Sequence, residues 1–215
     1  MREFIKRMKT AGLVEEICEP VSSVFEAPKR AFYSKKMLYF HNVDGHKCVM
    51  NAVCNRKSLS VALNIPEDSL VKTLAACTYS GKTHDEGALT FEPADLAKLP
   101  VMKHFPKDAG RYLTSGIVFS AWNGVVNASI HRMEVLDSTH LIARIVEGRH
   151  TYKLMKQAHA AGKKLPVAIV IGADPAVTFA ACTRVPEGKE MAYAAEITKK
   201  DMPLYTCQNG VKVPD

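Results

Sequence analysis

The chain has 215 residues, 47% of them hydrophobic and 24% charged, with a formal net charge of +7. That length allows one large domain or two small ones with ample core. The basic residues are dispersed, the densest groups ("KR", "SKK", "GKK", "TKK") holding two each, so the charge argues against a nucleic-acid function; no apolar run approaches the ~20 residues of a bilayer span.

The opening "MREFIKRMKT" is charged and periodic, unlike a secretory signal. Phe4, Ile5, Met8 and Leu13 recur at near-helical spacing and predict an amphipathic helix over 2–13. "MLYFHNVDGHKCVMNAV" reads as two strands turning at Asp44-Gly45. Helices are expected in "RKSLSVALNI", stopped by Pro66, and in "EDSLVKTLAAC". Residues 78–95 lack periodicity and read as a loop. A second part begins near Pro106. "RYLTSGIVFS" is rich in strand formers, Asn123-Gly124 is a type I′ turn signal, and "VVNASIHRMEVLD" returns as the partner strand. Asp137 could cap a helix through "STHLIARIV", and "TYKLMKQAHAAGKK" reads as another. "LPVAIVIGA" has the continuous apolar character of a strand buried on both faces. Asp174-Pro175 then opens the short helix "PAVTFAACT". Six scattered cysteines without a C-x-x-C pair suggest reduced thiols and a cytoplasmic location.

Three stretches could carry chemistry. Asn127 and Arg132 lie on one predicted strand but differ in parity, so a shared site requires regular pairing to stop between them. Otherwise Arg132 is an ordinary edge-strand arginine. His150, in "EGRHTY", could bind a metal or ligand, or simply be a solvated loop histidine. "IGADPAVTFAACTRVPEGKE" delivers a buried strand to a helix start, a geometry that suits phosphate, although neither G-x-x-x-x-G-K-[ST] nor G-x-G-x-x-G is present.

In order and spacing, "GRYLTSGIVFS", "NASIHRM", "EGRH" and "VAIVIGADPAVTFAACTRVPEGKE" resemble the UbiD-like decarboxylases, which use prenylated FMN. The resemblance extends back through "ADLAKLPVMKHFPKDAGRY", "MLYFHNVDGHKCVMN" and the opening helix, covering nearly the whole chain. It implies an α/β (α+β) fold, with a small N-terminal α/β domain over 1–105 and part of a split β-barrel of the flavin-reductase type over 106–215. It also implies reversible, non-oxidative decarboxylation of an aromatic or α,β-unsaturated acid.

By the same resemblance Asn127, His150 and Glu190 match the residues that hold Mn²⁺ (or Mg²⁺) against the cofactor phosphate, with K⁺ a further candidate ion. An amide oxygen, an imidazole and a carboxylate form a chemically sensible set for such an ion. Ser129, Ile130, His131 and Arg132 match the stretch that contacts the flavin, Arg132 being the catalytic arginine. Arg144, Arg149 and His150 match further cofactor contacts, and Ala181, Cys182 and Thr183 a segment lying beside the cofactor. Cys182 stands where the family has small or hydroxyl residues and is not expected to be a reactive thiol.

The implied partners are a small carboxylic acid, a flavin prenyltransferase as cofactor supplier, and further copies of the chain, with neither nucleic acid nor membrane. The family's proton-donating acids match none of Glu187, Glu190 and Glu196 and are expected beyond Asp215, so the 215 residues alone are expected to be inactive. A non-catalytic flavin- or partner-binding protein of the same fold, or one piece of a split decarboxylase, is the alternative.

Overall fold

A computed structural model describes residues 1–214. In chain order the elements are α1 (Arg2–Thr10), β1 (Val14–Ile17), α2 (Glu26–Tyr33), β2 (Met37–Val43), β3 (His46–Met50), α3 (Arg56–Leu63), α4 (Leu70–Ala75), β4 (Thr83–Ala88), β5 (Arg111–Leu113) and β6 (Ile117–Trp122). They continue with β7 (Val125–Ile130), β8 (Met133–Val135), β9 (Leu141–Ala143), α5 (His150–Ala160), β10 (Val167–Val170), α6 (Pro175–Cys182), α7 (Glu190–Thr198), β11 (Met202–Thr206) and β12 (Lys212–Pro214). Among the described residues no helix is long and apolar enough to cross a membrane, and all six cysteines are free.

Contacts divide the chain into two interleaved units. The first comprises Met1–Leu70, Pro93–Thr114 and Arg132–Ala143. Its larger sheet has the order β1-β2-β3, with β1 parallel to β2 and β2 antiparallel to β3. Strand β2 is buried on both faces because its two parities serve two cores. Met37 joins Phe4, Met8 and Ala62 of the α1 and α3 side, whereas Leu38 and Phe40 join Ile17, Val21, Ala27 and Ala31 on the α2 side. A register shift between Phe40 and Val43 returns Val43 to that second cluster. Asp44-Gly45 makes the expected turn, both residues having positive φ. Asn55 caps α3, accepting from the Ser58 amide in a reciprocal capping box. The smaller sheet of this unit is β5-β8-β9.

The second unit comprises Val71–Glu92, Ser115–His131 and Arg144–Asp215. Its first sheet is β10-β6-β7. The central strand β6 buries Ile117, Val118, Phe119 and Ser120, and the Asn123-Gly124 turn joins it to antiparallel β7 as expected. Helix α5 lies along β6 and β7, while α6 and α7 pack against each other and against β7. The second sheet is β12-β11-β4, with β4 parallel to β11.

Several expectations are corrected. The "STHLIARIV" segment is not a helix: Leu141–Ala143 forms β9 on β8, and Asp137 instead accepts from the Thr139 and His140 amides in a local turn. The loop expected over 78–95 contains β4, whose six residues are all exposed and therefore leave no apolar pattern. Strand β10 is an edge strand with Val167 exposed, not one buried on both faces.

Among the glycines of the second unit, Gly81 marks the closest approach of backbone to backbone. A Cβ there would fall on the Ala192 carbonyl oxygen and the Glu196 amide nitrogen, and lie 2.8 Å from the Ala195 Cβ. The Glu196 carboxylate holds this approach together by accepting from the Thr78 and Ser80 amides, each at 2.9 Å. Gly81→Ala is therefore expected to cost about 3 kcal/mol of stability, because backbone rather than a flexible side chain must yield. Urea unfolding checks this, and an unchanged midpoint would contradict the close approach.

Candidate functional site

Regular pairing stops between Asn127 and Arg132, where the chain changes sheet. Strand β7 ends at Ile130, which pairs with Ile117. His131 closes the second unit's segment and Arg132 opens the first unit's, leading into β8. Asn127, Ser129 and His131 share one parity and so share one face of the strand end.

Those three residues meet Thr151, in the first turn of α5. Asn127 Nδ2 donates to Ser129 Oγ (3.2 Å) and to Thr151 Oγ1 (3.0 Å). Ser129 Oγ lies 2.9 Å from both Thr151 Oγ1 and His131 Nε2. Asn127, His131 and Thr151 are buried, so each contact replaces water that cannot reach it. His131 Nδ1 is 3.3 Å from the Arg144 carbonyl oxygen. Burial pushes the His131 pKa down. Ser120, opposite Asn127 in register, keeps a buried hydroxyl with no hydrogen-bond partner among the described residues.

His150 and Glu190 stand at two helix starts. His150 is the first residue of α5 and Glu190 the first of α7. Their side chains approach to 3.9 Å between Nδ1 and Oε1, the one ion-pair contact of Glu190 among the described residues. The loop before α7 also runs close to β7: a Cβ on Gly188 would lie 3.5 Å from the Val126 carbonyl oxygen. Glu190 is only 5% exposed. Loss of hydration pushes its pKa up to about 7, and the charge of Glu187 adds to that rise. A desolvated carboxylate beside an imidazole offers two donor types that a divalent cation can use, although no group of three or more His, Cys, Asp or Glu gathers among the described residues; the Asn127 amide oxygen, which accepts no hydrogen bond among those residues, is a third donor of suitable type.

The two candidate phosphate-facing helix starts differ. Asp174 caps α6 with its own carboxylate on the Ala176 amide, and Pro175 brings no N–H. That start is filled and negatively charged, which disfavours phosphate. The start of α5 has Arg149 as its cap residue and no side-chain cap, leaving first-turn N–H groups open beside His150. The guanidinium groups of Arg144 and Arg149 are exposed and make no ion pair among the described residues. Ala181, Cys182 and Thr183 form the end of α6, where Thr183 Oγ1 donates to the Phe179 carbonyl. Partial desolvation raises the Cys182 thiol pKa, the opposite of an activated thiolate.

Arg132 is exposed and belongs to the first unit, its guanidinium 5.3 Å from the centre of the Tyr112 ring. Tyr112 in turn donates its O–H to Glu134 Oε2 at 2.9 Å. Sequence reasoning missed Thr151. Its one available signal was adjacency to His150 in "EGRHTY", because the role of its hydroxyl depends on how α5 lies on the sheet.

The 3-octaprenyl-4-hydroxybenzoate carboxy-lyase N-terminal domain matches residues 5–78, and the Rift-related domain of the same carboxy-lyases matches 80–215. The anhydromevalonate phosphate decarboxylase of Methanosarcina mazei is 44% identical across 99% of this chain and 52% of its own length. The corresponding protein of Archaeoglobus fulgidus is 40% identical across 81% of this chain and 42% of its own. The chain thus spans about half the length of the curated relatives it matches. The UbiD-class enzyme HmfF from Pelotomaculum thermopropionicum, solved in complex with FMN, superposes with a TM-score of 0.91 at 27% identity, covering 99% of this chain and 52% of that one. An evolved dimeric form of HmfF was solved with prFMN and gives the same TM-score. Mixed α/β architecture, both domain models and these likenesses lead to one conclusion: the chain belongs to the UbiD family of carboxy-lyases.

Proposed function

We propose that this chain is the flavin-binding portion of a prenylated-FMN-dependent decarboxylase acting on a phosphorylated α,β-unsaturated acid. The observation that carries the reading is the approach of buried Glu190 to His150 at the uncapped start of α5, with Asn127 on β7 hydrogen-bonded to the next residue of that helix, Thr151. When bound, prenylated FMN supplies the electron sink for the bond electrons left when CO₂ departs.

The chain's own residues supply binding and orientation. Asn127, His150 and Glu190 would hold Mn²⁺ or Mg²⁺, which neutralises the cofactor phosphate and the buried Glu190 charge together. First-turn N–H groups of α5 favour the same phosphate, and exposed Arg144 and Arg149 add positive charge. The strand-end stretch Ser129, Ile130 and His131 would contact the flavin, and the end of α6 through Ala181, Cys182 and Thr183 would lie alongside it. Arg132 binds the substrate carboxylate. Its guanidinium meets no carboxylate partner among the described residues, so its planar fork of donors is available.

The 44% identity to an anhydromevalonate phosphate decarboxylase favours the unsaturated over the aromatic acids. Loss of water from the β-hydroxyl of mevalonate phosphate leaves a double bond conjugated to the carboxylate, the arrangement from which an electron sink can draw electrons. A flavin prenyltransferase would supply the cofactor, the protein would work in the cytoplasm, and the chain would assemble with further copies of itself.

The test is CO₂ release by the intact protein loaded with prenylated FMN and Mn²⁺. Anhydromevalonate phosphate is expected to turn over, with aromatic acids slower and no release without cofactor. Tight flavin binding without CO₂ release from any acid would favour the non-catalytic alternative and overturn the proposal.

A further inference from the structure

Thr151 touches three polar partners at once. Its Oγ1 lies 3.0 Å from Asn127 Nδ2, 2.9 Å from Ser129 Oγ and 3.1 Å from His131 Nε2. Counting protons decides which group donates in each contact. The Arg144 carbonyl can only accept, so His131 Nδ1 carries the ring proton that points at it. Burial pushes this imidazole toward its neutral form, and Nε2 must then accept.

Ser129 and Thr151 hold two hydroxyl protons between them. One is used on His131 Nε2 and the other on the Ser129–Thr151 contact. Neither remains for Asn127. The amide must therefore turn its NH₂ toward the two hydroxyls, which serves four of the five contacts in the cluster. With the amide reversed, only two would be served, and buried oxygens would face one another unprotonated. The correct orientation leaves Oδ1 on the far side of the amide carbon, where it accepts no hydrogen bond among the described residues.

We propose that Thr151 is a positioning residue: with Ser129 and His131 it fixes the Asn127 amide so that the carbonyl oxygen is presented to a divalent cation. The proposal rests on the cation reading given above, and it assigns to a threonine the function that partners of metal ligands often serve, orienting a ligand it does not replace.

The experiment measures Mn²⁺ binding directly, by the paramagnetic resonance signal of free Mn²⁺, in the intact protein with FMN and without substrate. Thr151→Val, which keeps the shape and removes both hydroxyl functions, is expected to weaken Mn²⁺ binding by about 10- to 100-fold. Thr151→Ser is expected to restore it to near the unsubstituted level. Glu190→Gln reports on the cation site itself. Unchanged affinity in Thr151→Val, with binding lost in Glu190→Gln, overturns the positioning role alone. Absent Mn²⁺ binding in the unsubstituted protein, or unchanged affinity in Glu190→Gln, overturns the cation reading. A second measurement does not depend on the variants folding. In asparagine-labelled protein the Asn127 side-chain NH₂ should exchange slowly with solvent, and His131 should show the neutral Nδ1–H tautomer by nitrogen chemical shift. Rapid exchange of that NH₂, or an Nε2–H tautomer, would overturn the proton assignment.

Discussion

Replacing Arg132 by alanine is expected to abolish decarboxylation while leaving most flavin binding intact. Under the proposed function, cofactor affinity comes from the phosphate, the cation and the α5 start, none of which involves Arg132. Substrate orientation depends on the guanidinium, whose two parallel N–H donors fix both the position and the plane of a carboxylate. Water can solvate that carboxylate but cannot hold it, so kcat/KM should fall on the order of 10³-fold or more. Lysine should rescue poorly, because a compact ammonium lacks the planar fork. Flavin absorbance retained after desalting, measured beside CO₂ release, separates the two functions. Loss of flavin in Arg132→Ala would show that the arginine serves the cofactor, and unchanged turnover would remove it from catalysis.

Glu190 gives the second large effect, and its sign reverses with metal. Its pKa in the folded chain is raised to about 7 from an ordinary 4.5. The neutral form is thus favoured by folding, and that stabilisation is fully present below pH 4.5 and lost as pH rises through about 7. Without metal, the protein should lose up to about 3 kcal/mol between those limits as the buried carboxylate is forced to ionise. Glu190→Gln should remove this loss, making the metal-free variant more stable than the original at pH 8 and nearly equal to it at pH 4.5. Mn²⁺ requires the ionised form, so its affinity should rise with pH through about 7 and fall away in the glutamine variant. Melting temperatures from pH 4.5 to 8.5, with and without Mn²⁺, test both signs. A metal-free melting curve insensitive to Glu190→Gln at pH 8 would mean the carboxylate is not desolvated.

Local chemistry made much of this fold legible. Asp44-Gly45 and Asn123-Gly124 announce hairpins because their positive φ values are demanded by the turn itself. Asp174-Pro175 announces α6 for an equally local reason. What failed depended on distant partners. Strand β9 is three residues long and takes its conformation from β8, so its apparent helical periodicity had nothing to compete with in sequence. Strand β4 reads "THDEGA", with Ala88 its one apolar residue and no alternation, and is a strand only because β11 pairs with it. The candidate site divides the same way. Asn127, Ser129 and His131 share parity and could be grouped by eye. Glu190 and His150 lie forty residues apart, and only the packing of α7 and the loop before it near β7 explains why they meet.

The parallel pairing of β4 with β11 also sets an order of events at the ribosome. Thr83 pairs in register with Pro203's neighbour Met202, so β4 emerges roughly 120 residues before its partner; at ~5–20 residues per second that is a delay on the order of 10 s. The first unit is complete in sequence by Ala143 and can close while β4 still waits. An unpaired strand is an invitation to pair with another nascent chain. Two acidic residues, a histidine and a glycine in its six positions make this one a poor template for such pairing. The feature that hid β4 from sequence reading, its lack of large apolar residues, is thus what would let it wait unpaired until β11 emerges.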